Sequence, residues 1–337
     1  MIIKSVKLTN FRIHKSYKLE CHKETSLIVG ENGCGKTSVL EAIYEAMRGK
    51  SFKAVDSEIL RRGAEFYRVE LDYINGEKVV VVFDGKKKTF IVGDKKTARL
   101  PKKNRYPIVL FEPSDLNLIS SSPSRRREYF DRMFGQIDEK HSVSLSKYNK
   151  ALKQRNELLK SEFLKSEDVF SWNVMLSKYG CELFKMRLEM TAQVNKDLTK
   201  VYRTIADNDD EVFIEYLGVG EDINESKYLK ELESSFERDR ILGHTTYGVQ
   251  KDDYKFIFNK VTADGSASRG EVRSIVLALK FIEATIDYEK LGKKPVILLD
   301  DVFSELDEKR QKCLVKNFKD NQIILTSVDE IDRKSVV

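Results

Sequence analysis

Residues 30–38, GENGCGKTS, constrain the fold of this chain more than any other part of the sequence. They fit the pattern G-x-x-x-x-G-K-[ST], in which a glycine-rich loop places backbone amides around phosphate oxygens. The apolar run SLIV precedes the loop, and the helix-forming run SVLEAIYEAM follows it. This strand–loop–helix context is the one the motif requires. The sequence therefore predicts an α/β domain built around a phosphate-binding loop.

Each residue type in this loop suits a nucleoside triphosphate. Glycines allow backbone conformations that a side chain would block, and the following helix adds the positive end of its dipole. We expect Lys36 to reach the β- and γ-phosphates and Thr37 to offer its hydroxyl to a magnesium ion. ATP and Mg²⁺ are the expected cofactors. The predicted nucleotide-binding residues are Gly30, Glu31, Asn32, Gly33, Cys34, Gly35, Lys36, Thr37 and Ser38.

Two adjacent aspartates end a second apolar run, VILLDD, late in the chain. A phosphate loop needs an acidic partner for Mg²⁺ at the end of a buried strand. We therefore expect Asp300 to hold the metal through water, and Asp301 to orient or deprotonate the attacking water. The alternative is a pair of surface aspartates that caps the next helix. The long separation from residue 30 indicates an insertion between the two motifs.

A third candidate motif is weaker on its own. In SASRGE, Ser268 suits a helix N-cap and Gly270 leaves room for close approach. A hydroxyl beside helix amides can bind an anion, although most such caps only start a helix. Placed between a phosphate loop and an aspartate-tipped strand, the segment is typical of the ABC-type signature. We expect Ser268 and Gly270 to contact the γ-phosphate of nucleotide on a second copy, so the complete site needs a homodimer.

The order of patterns along the chain predicts a split domain. Antiparallel strand patterns, with a hairpin turn at Asn75-Gly76, occupy the first part, and α/β character returns near residue 250. The intervening patterns are helical, and the longest has a spacing close to about 3.6 residues, the period of a straight helix. We therefore predict an ABC-ATPase-type P-loop head with an antiparallel β subdomain at 1–119 and 250–337. An inserted helical lobe at 120–249 splits this head.

Composition excludes several functional classes. The chain has 337 residues, of which 41% are hydrophobic and 34% are charged, so it can bury a core and is not a disordered chain. No apolar run reaches the roughly 18 residues of a membrane helix, and we expect no membrane partner. Four scattered cysteines without a CxxC pair indicate reduced thiols in a cytoplasmic protein, not a zinc site.

The positive charge is concentrated in one segment. Residues 86–105 hold nine Lys and Arg against one acidic residue, in a chain of net charge +6. Such a segment can neutralise DNA phosphates, and the alternative is a solvated sheet edge. A second basic run follows at SRRRE, for which the alternative is a solvated helix face. The candidate DNA-binding residues are Lys102, Lys103, Arg105, Arg125, Arg126 and Arg127.

Taken together, the segments of this chain resemble the RecF family of bacterial DNA replication and repair proteins. LTNFRIHKSYKLE, VLFEPSDLNLI, SPSRRREYFDR, SRGEVRSIVLALK and ILLDDVFSELD occur in the family's order and span nearly the whole chain. The resemblance implies an ABC-type ATPase head of the structural-maintenance-of-chromosomes class without a long coiled coil. It also implies ATP-dependent dimerisation on DNA, slow hydrolysis and a nucleoid-associated location. The implied partners are RecO and RecR. Together with them, family members help to load recombinase at single-strand gaps.

The resemblance also assigns residues by position. It places the nucleotide loop on 30–37, the signature on 268–271, the magnesium and catalytic carboxylates on Asp300 and Asp301, and the D-loop on Ser304 to Asp307. The chain departs from the family at Arg269, where Gln is usual, and at GVQKDD, residues 248–253, where GPHRDD is usual. The alternative function is a structural ATPase head that acts with separate arm proteins, and the continuous helical insertion argues against it.

Overall fold

The computed structural model describes residues 2–220 and 222–328. The strands are β1 (Ile3–Phe11), β2 (His14–Glu20), β3 (Thr25–Val29), β4 (Tyr67–Tyr73), β5 (Lys78–Phe83), β6 (Lys88–Val92), β7 (Lys95–Thr97), β8 (Ile108–Phe111), β9 (Val212–Leu217), β10 (Asp253–Phe258), β11 (Val261–Thr262), β12 (Val296–Leu299) and β13 (Ile323–Ser327). The helices are α1 (Lys36–Arg48), α2 (Asp56–Ile59), α3 (Pro123–Ile137), α4 (Glu139–Leu158), α5 (Ser166–Ala206), α6 (Glu225–Ser234), α7 (Phe236–Leu242), α8 (Arg269–Leu291) and α9 (Glu308–Asn317). No helix in this described part is both long and apolar enough to cross a bilayer.

The chain divides into two compact units. The first combines Met1–Leu116 with Glu283–Val337, and the second is Asn117–Ile282. The sequence placed the later boundary near residue 250, whereas the contacts place it inside α8. The difference arises because β10 pairs with β9 and so belongs with the insertion. The insertion is therefore not purely helical.

The first unit contains two sheets. One is antiparallel, with the order β2-β1-β4-β5-β6-β7, and the other is parallel, with the order β3-β13-β12-β8. Strands β8, β12 and β13 are buried along their whole length, as their continuous apolar sequences require in a covered parallel sheet. Apolar side chains of α1 and of both sheets share one core.

This parallel order fixes the position of the predicted motifs. Strands β3 and β12 each pair with β13, one on either side. The carboxyl ends of parallel strands lie at the same edge of a sheet. The loop after β3 and the aspartates after β12 are therefore brought together there, although most of the chain separates them in sequence.

The second unit packs its longest helix, α5, against α4, α6 and β9. Gly180 lies inside α5, where the absence of a side chain lets a neighbouring helix approach closely. A Cβ at this position would lie 2.6 Å from the ring of Tyr228 on α6. Any larger residue would therefore push the two helices apart. The remaining sheet, β11-β10-β9, completes the unit.

Candidate functional site

The loop between β3 and α1 adopts a conformation that needs glycine. Gly35 precedes α1 with a φ of 97°, in the left-handed region. A Cβ there would lie 2.4 Å from Nε2 of His14, so both torsion and space exclude a larger residue. The amides at the start of α1 therefore remain at the loop, where an anion can reach them.

Lys36 folds back over this loop. Its Nζ donates to the carbonyl of Gly30 at 2.7 Å and to that of Glu31 at 3.2 Å. The side chain is only 5% exposed. The ammonium group is thus held at the centre of the loop, where phosphate oxygens would replace the two carbonyls as its partners.

His14, the first residue of β2, supports the loop. Its Nε2 lies 3.1 Å from the carbonyl oxygen of Gly35, within hydrogen-bond distance. Its ring lies 4.9 Å from that of Tyr17. The sequence interpretation did not include His14, because nothing in a single sequence brings residue 14 next to residue 35. The contact adds a positioning residue to the site.

Thr37 and Asp300, predicted to share a magnesium ion, are in direct contact. The Thr37 hydroxyl donates to Asp300 Oδ1 at 2.8 Å. Thr326, at the end of β13, donates to the same oxygen at 3.1 Å. Burial raises the pKa of Asp300 and the negative charge of Asp301 adds to this, whereas the two hydroxyl groups oppose it. The sequence interpretation missed Thr326, because no motif in the sequence shows that β13 lies between β3 and β12.

Asp301 lies beside this pair in a strained conformation. Its φ is 50°, in a region that non-glycine residues rarely adopt. Its amide donates to Thr326 Oγ1 at 2.9 Å, which fixes the turn. Its Oδ1 lies 3.9 Å from Lys36 Nζ and, among the described residues, has no hydrogen-bond partner. A carboxylate oxygen held in this way can accept a proton or a hydrogen bond from water.

The donor set at this edge fits magnesium. A hydroxyl and a buried carboxylate supply oxygen ligands only, which Mg²⁺ prefers. Within residues 2–220 and 222–328 there is no cluster of three or more His, Cys, Asp or Glu side chains that could hold an ion. Mg²⁺ bound with a nucleotide does not need such a cluster, because it takes one or two protein groups and completes its shell with phosphates and waters.

The two predicted D-loop residues have separate contacts. The Ser304 hydroxyl donates to the carbonyl of Asp301 at 3.2 Å, so it stabilises the turn that carries the carboxylate. Asp307 is the N-cap of α9 and accepts from the amide of Arg310 at 3.0 Å. In this unit, therefore, Ser304 lies at the site and Asp307 starts the next helix.

The predicted signature lies in the second unit, where Ser268 and Arg269 are exposed. The Ser268 amide donates to Glu271 Oε2 at 2.6 Å, and the Glu271 amide donates to Ser268 Oγ at 3.3 Å. These reciprocal bonds form a capping box. Gly270 follows in the first turn of α8. The start of this helix is therefore accessible, and its own carboxylate caps it.

Two of the three consecutive arginines of α3, Arg126 and Arg127, form hydrogen bonds to other residues of the second unit. Arg126 makes two parallel bonds to the Asp253 carboxylate, at 2.7 and 2.8 Å, and is 12% exposed. Arg127 donates to the carbonyl of Asp252 at 2.7 Å, and Arg125 lies 3.4 Å from Glu128. These internal bonds engage the guanidinium groups of Arg126 and Arg127 within the unit, and their role as phosphate contacts stays a prediction. In the first unit, Lys102 and Lys103 are exposed, whereas Arg105 is half-buried and donates to a backbone carbonyl.

The same contacts explain the aspartates of the GVQKDD segment. Asp252 is buried, accepts from Arg187 Nη1 at 2.8 Å and accepts from the hydroxyl of Tyr216. The Asp253 carboxylate accepts two hydrogen bonds from Arg126, as described above. Both aspartates therefore tie β10 to α3 and α5, and this role does not use the proline and histidine that are missing here.

Comparisons with known proteins agree with this geometry. The sequence model of the AAA ATPase domain matches residues 1–321. The DNA replication and repair protein RecF of Clostridium novyi strain NT is 30% identical, covering 98% of this chain and 94% of that protein. RecF of Staphylococcus carnosus strain TM300 is 31% identical, covering 99% of this chain and 95% of that protein.

Solved structures give the same picture. The recombination mediator protein RecF-ATP in the RecFOR pathway has a TM-score of 0.86 and 29% identity, covering 98% of this chain and 93% of that one. An SmcHead bound to the C-winged helix domain of ScpA has a TM-score of 0.55 at 14% identity, over 99% of this chain and 92% of that one. The second likeness shows a shared fold.

Proposed function

This chain belongs to the RecF family of DNA replication and repair proteins, and we propose that it is an ATP-switched clamp on DNA. As a family member it is an ATP-binding protein of replication and repair with an ATPase domain. In the proposal, two copies close around two nucleotides and hold duplex DNA beside a single-strand gap. Weak, DNA-stimulated hydrolysis then reopens the dimer. The clamp acts with RecO and RecR to load recombinase.

The observation that carries this proposal is the group of side chains around Asp301. The Lys36 ammonium lies at the loop carbonyls and 3.9 Å from Asp301 Oδ1. The Thr37 hydroxyl contacts Asp300. In the proposed mechanism, the Lys36 ammonium exchanges its two carbonyl partners for β- and γ-phosphate oxygens. Thr37 and Asp300 would hold Mg²⁺, which would neutralise phosphate charge. Asp301 Oδ1 accepts the hydrogen bond of the attacking water.

The signature helix supplies what this group lacks. We propose that Ser268 and the first amides of α8 from a second copy bind the γ-phosphate. The carboxylate of Glu271 accepts from the Ser268 amide, which precedes α8, and would repel a phosphate there. It must therefore leave the Ser268 amide when the dimer closes. This exchange makes closure depend on the triphosphate.

The proposed DNA surface lies on the first unit. Lysines in the turn between β5 and β6, in the short strand β7 and before β8 are exposed. They are Lys86, Lys87, Lys95, Lys96, Lys102 and Lys103. Lys88 differs from them, because it is half-buried and bridges Glu45 and Asp56 at 2.7 and 2.5 Å. Exposed lysines contact phosphates as point charges, so binding should depend steeply on salt and weakly on sequence.

A structural ATPase head that acts with separate arm proteins is the second candidate function. The likeness to the SmcHead supports a common fold only. In this chain the insertion folds into its own compact unit, Asn117–Ile282, instead of leaving two free helix ends. We therefore favour the clamp.

Sedimentation with ATP and Mg²⁺ tests the proposal. Asp301→Asn should sediment as a dimer with ATP, since it holds nucleotide uncleaved, and as a smaller species without it. Lys36→Ala is the matched control and should not respond to ATP. Gapped duplex should bind tighter with ATP than without it. A single copy that hydrolyses ATP at the full rate, or DNA affinity independent of ATP, would reject the clamp.

A further inference from the structure

An open cleft of about 520 Å³ lies in the second unit, remote in sequence from the nucleotide motifs. One wall is the start of α5, and the other is the junction of α6 and α7. The lining residues are Ser166, Glu167, Phe170, Asn173, Glu233, Ser234, Phe236 and Glu237. A volume of this size accepts one large side chain and its neighbours.

The two walls are tied together by a buried arginine. Arg155 on α4 is fully buried and donates to Asn173 Oδ1 at 2.7 Å. Its Nη1 donates to Asp239 Oδ2 at 2.6 Å and to Thr245 Oγ1 at 2.8 Å. Asn173 belongs to the α5 wall and Asp239 to α7. The cleft is therefore held open by fixed groups, and a ligand would not have to form it.

Large apolar side chains are exposed on the same elements. Phe170 lines the cleft and is 49% exposed, and Ile241, one turn after Glu237 on α7, is 81% exposed. Leu242 and Phe163, which precedes α5, are also exposed. An exposed aromatic side chain in the wall of a concave site, with further exposed apolar side chains nearby in sequence, is typical of a surface that binds a protein partner.

The charges of the cleft define the partner. Every ionisable residue in its lining is a glutamate, and Glu237 is paired with Arg240 at 2.8 Å. Such a lining repels nucleic acid and attracts Lys and Arg. We propose that this cleft binds a protein segment with an apolar anchor residue flanked by basic residues. This inference goes beyond the proposed function and does not rest on it.

A peptide selection tests the inference. A phage-displayed random peptide library is selected for binding to the full chain, after peptides that bind the Phe170→Asp variant have been removed. Phe170 is half-exposed in the parent protein. The enriched peptides should carry a central Leu, Phe or Trp with Lys or Arg on both sides. The synthetic peptides should bind at least about tenfold more weakly to Glu167→Lys/Glu233→Lys.

The control is Glu189→Lys, which makes the charge reversal of each single cleft substitution at an exposed position of α5 outside the cleft. Its affinity for the peptides should stay within about twofold, and ATP turnover should be unchanged in all variants. No enrichment, enrichment of acidic peptides, or equal binding to Phe170→Asp would overturn the proposal. A change in self-association caused by Phe170→Asp would instead identify a second copy as the occupant, which also overturns it.

Discussion

Glu271 and Ser268 cap one another: the Ser268 amide donates to Glu271 Oε2, and the Glu271 amide donates to Ser268 Oγ. The serine that is proposed to grip the γ-phosphate therefore also starts α8. The two roles differ in what they change. A cap affects stability alone, whereas a phosphate contact across a dimer affects turnover.

Ser268→Ala should lower turnover by about hundredfold or more while ATP binding is retained, since it removes a hydrogen-bond donor to the phosphate that reacts. Loss of the cap should also lower the free energy of unfolding by about 1 kcal/mol. Steady-state ATPase assays and urea unfolding measure the two effects. Ser268→Thr is the control because it keeps a hydroxyl. Destabilisation with unchanged turnover would leave Ser268 as a cap only.

Lys36→Ala should abolish nucleotide binding, because it removes the positive charge that would bind the phosphates. In the described residues, no other ammonium group is hydrogen-bonded to the loop carbonyls. Asp301→Asn should bind ATP normally and lose turnover, since its Oδ1 is needed for the water. Fluorescent nucleotide titration separates binding from hydrolysis. In mixtures of Lys36→Ala with Ser268→Ala, at most one competent site per mixed dimer should remain. Full per-monomer activity in both single variants would contradict a shared site.

Neutralising Lys86, Lys87, Lys95 and Lys96 should weaken DNA binding and reduce its dependence on salt. Each lost phosphate contact lowers the slope of log affinity against log salt by roughly 0.9. Fluorescence anisotropy over a range of salt concentrations measures this slope. Lys227→Ala/Lys230→Ala changes exposed lysines of α6 and should leave the slope unchanged. An unchanged slope in the fourfold variant would place the DNA elsewhere.

Arg126→Ala should lower the free energy of unfolding by about 3 kcal/mol, because it leaves the Asp253 carboxylate without its two-bond partner. Arg240→Ala removes an exposed ion pair to Glu237 and should change stability by less than about 1 kcal/mol. Chemical denaturation of both variants gives the comparison. If Arg126→Ala were as stable as the parent and lost DNA binding, the phosphate contact predicted from the sequence would be restored.

Asp252 should make stability depend on pH. Burial raises its pKa to about 6, against the opposing effects of Arg187 and Tyr216, whereas an unfolded aspartate has a pKa of about 3.9. The folded state then keeps this proton to higher pH, so the contribution of Asp252 to stability falls as pH rises from about 4 to about 6. Asp252→Asn removes this pH-dependent loss of stability, because an asparagine does not titrate. Its stability relative to the parent should therefore increase over that window, by up to about 3 kcal/mol.

Urea unfolding of both proteins at several pH values tests this. The carboxyl groups of Asp131 and Asp253 have lowered pKa values and act in the opposite direction, but they are present in both proteins. The difference between the curves therefore isolates Asp252. Parallel curves would show that its charge is fully compensated by Arg187.

The proximity of Thr37 and Asp300 could be predicted from the sequence because each of their motifs directly follows an apolar strand. The carboxyl ends of parallel strands lie at the same edge of a sheet, so the two motifs meet there. Thr326 and His14 could not be predicted in the same way. Their contacts depend on which strand lies between β3 and β12 and on how the β1–β2 turn meets the loop. Both are properties of long-range pairing that a single motif does not carry.

The insertion shows a second limit. The long helix α5 was predicted from its period, but β9 was missed and β10 was placed in the head. Neither strand has a partner nearby in sequence, since they pair with each other across α6 and α7. Asp253 is the first residue of β10, so the sequence alone could not show its bonds to Arg126.

Strand β3, which carries the phosphate loop, has β13 as its only neighbour in the parallel sheet of the described residues. The ribosome makes β13 almost three hundred residues after β3. A nascent chain, or one truncated before Ile323, thus contains every residue of the loop but lacks the strand that holds it in place. A chain truncated in this way is therefore expected to bind neither ATP nor a second copy.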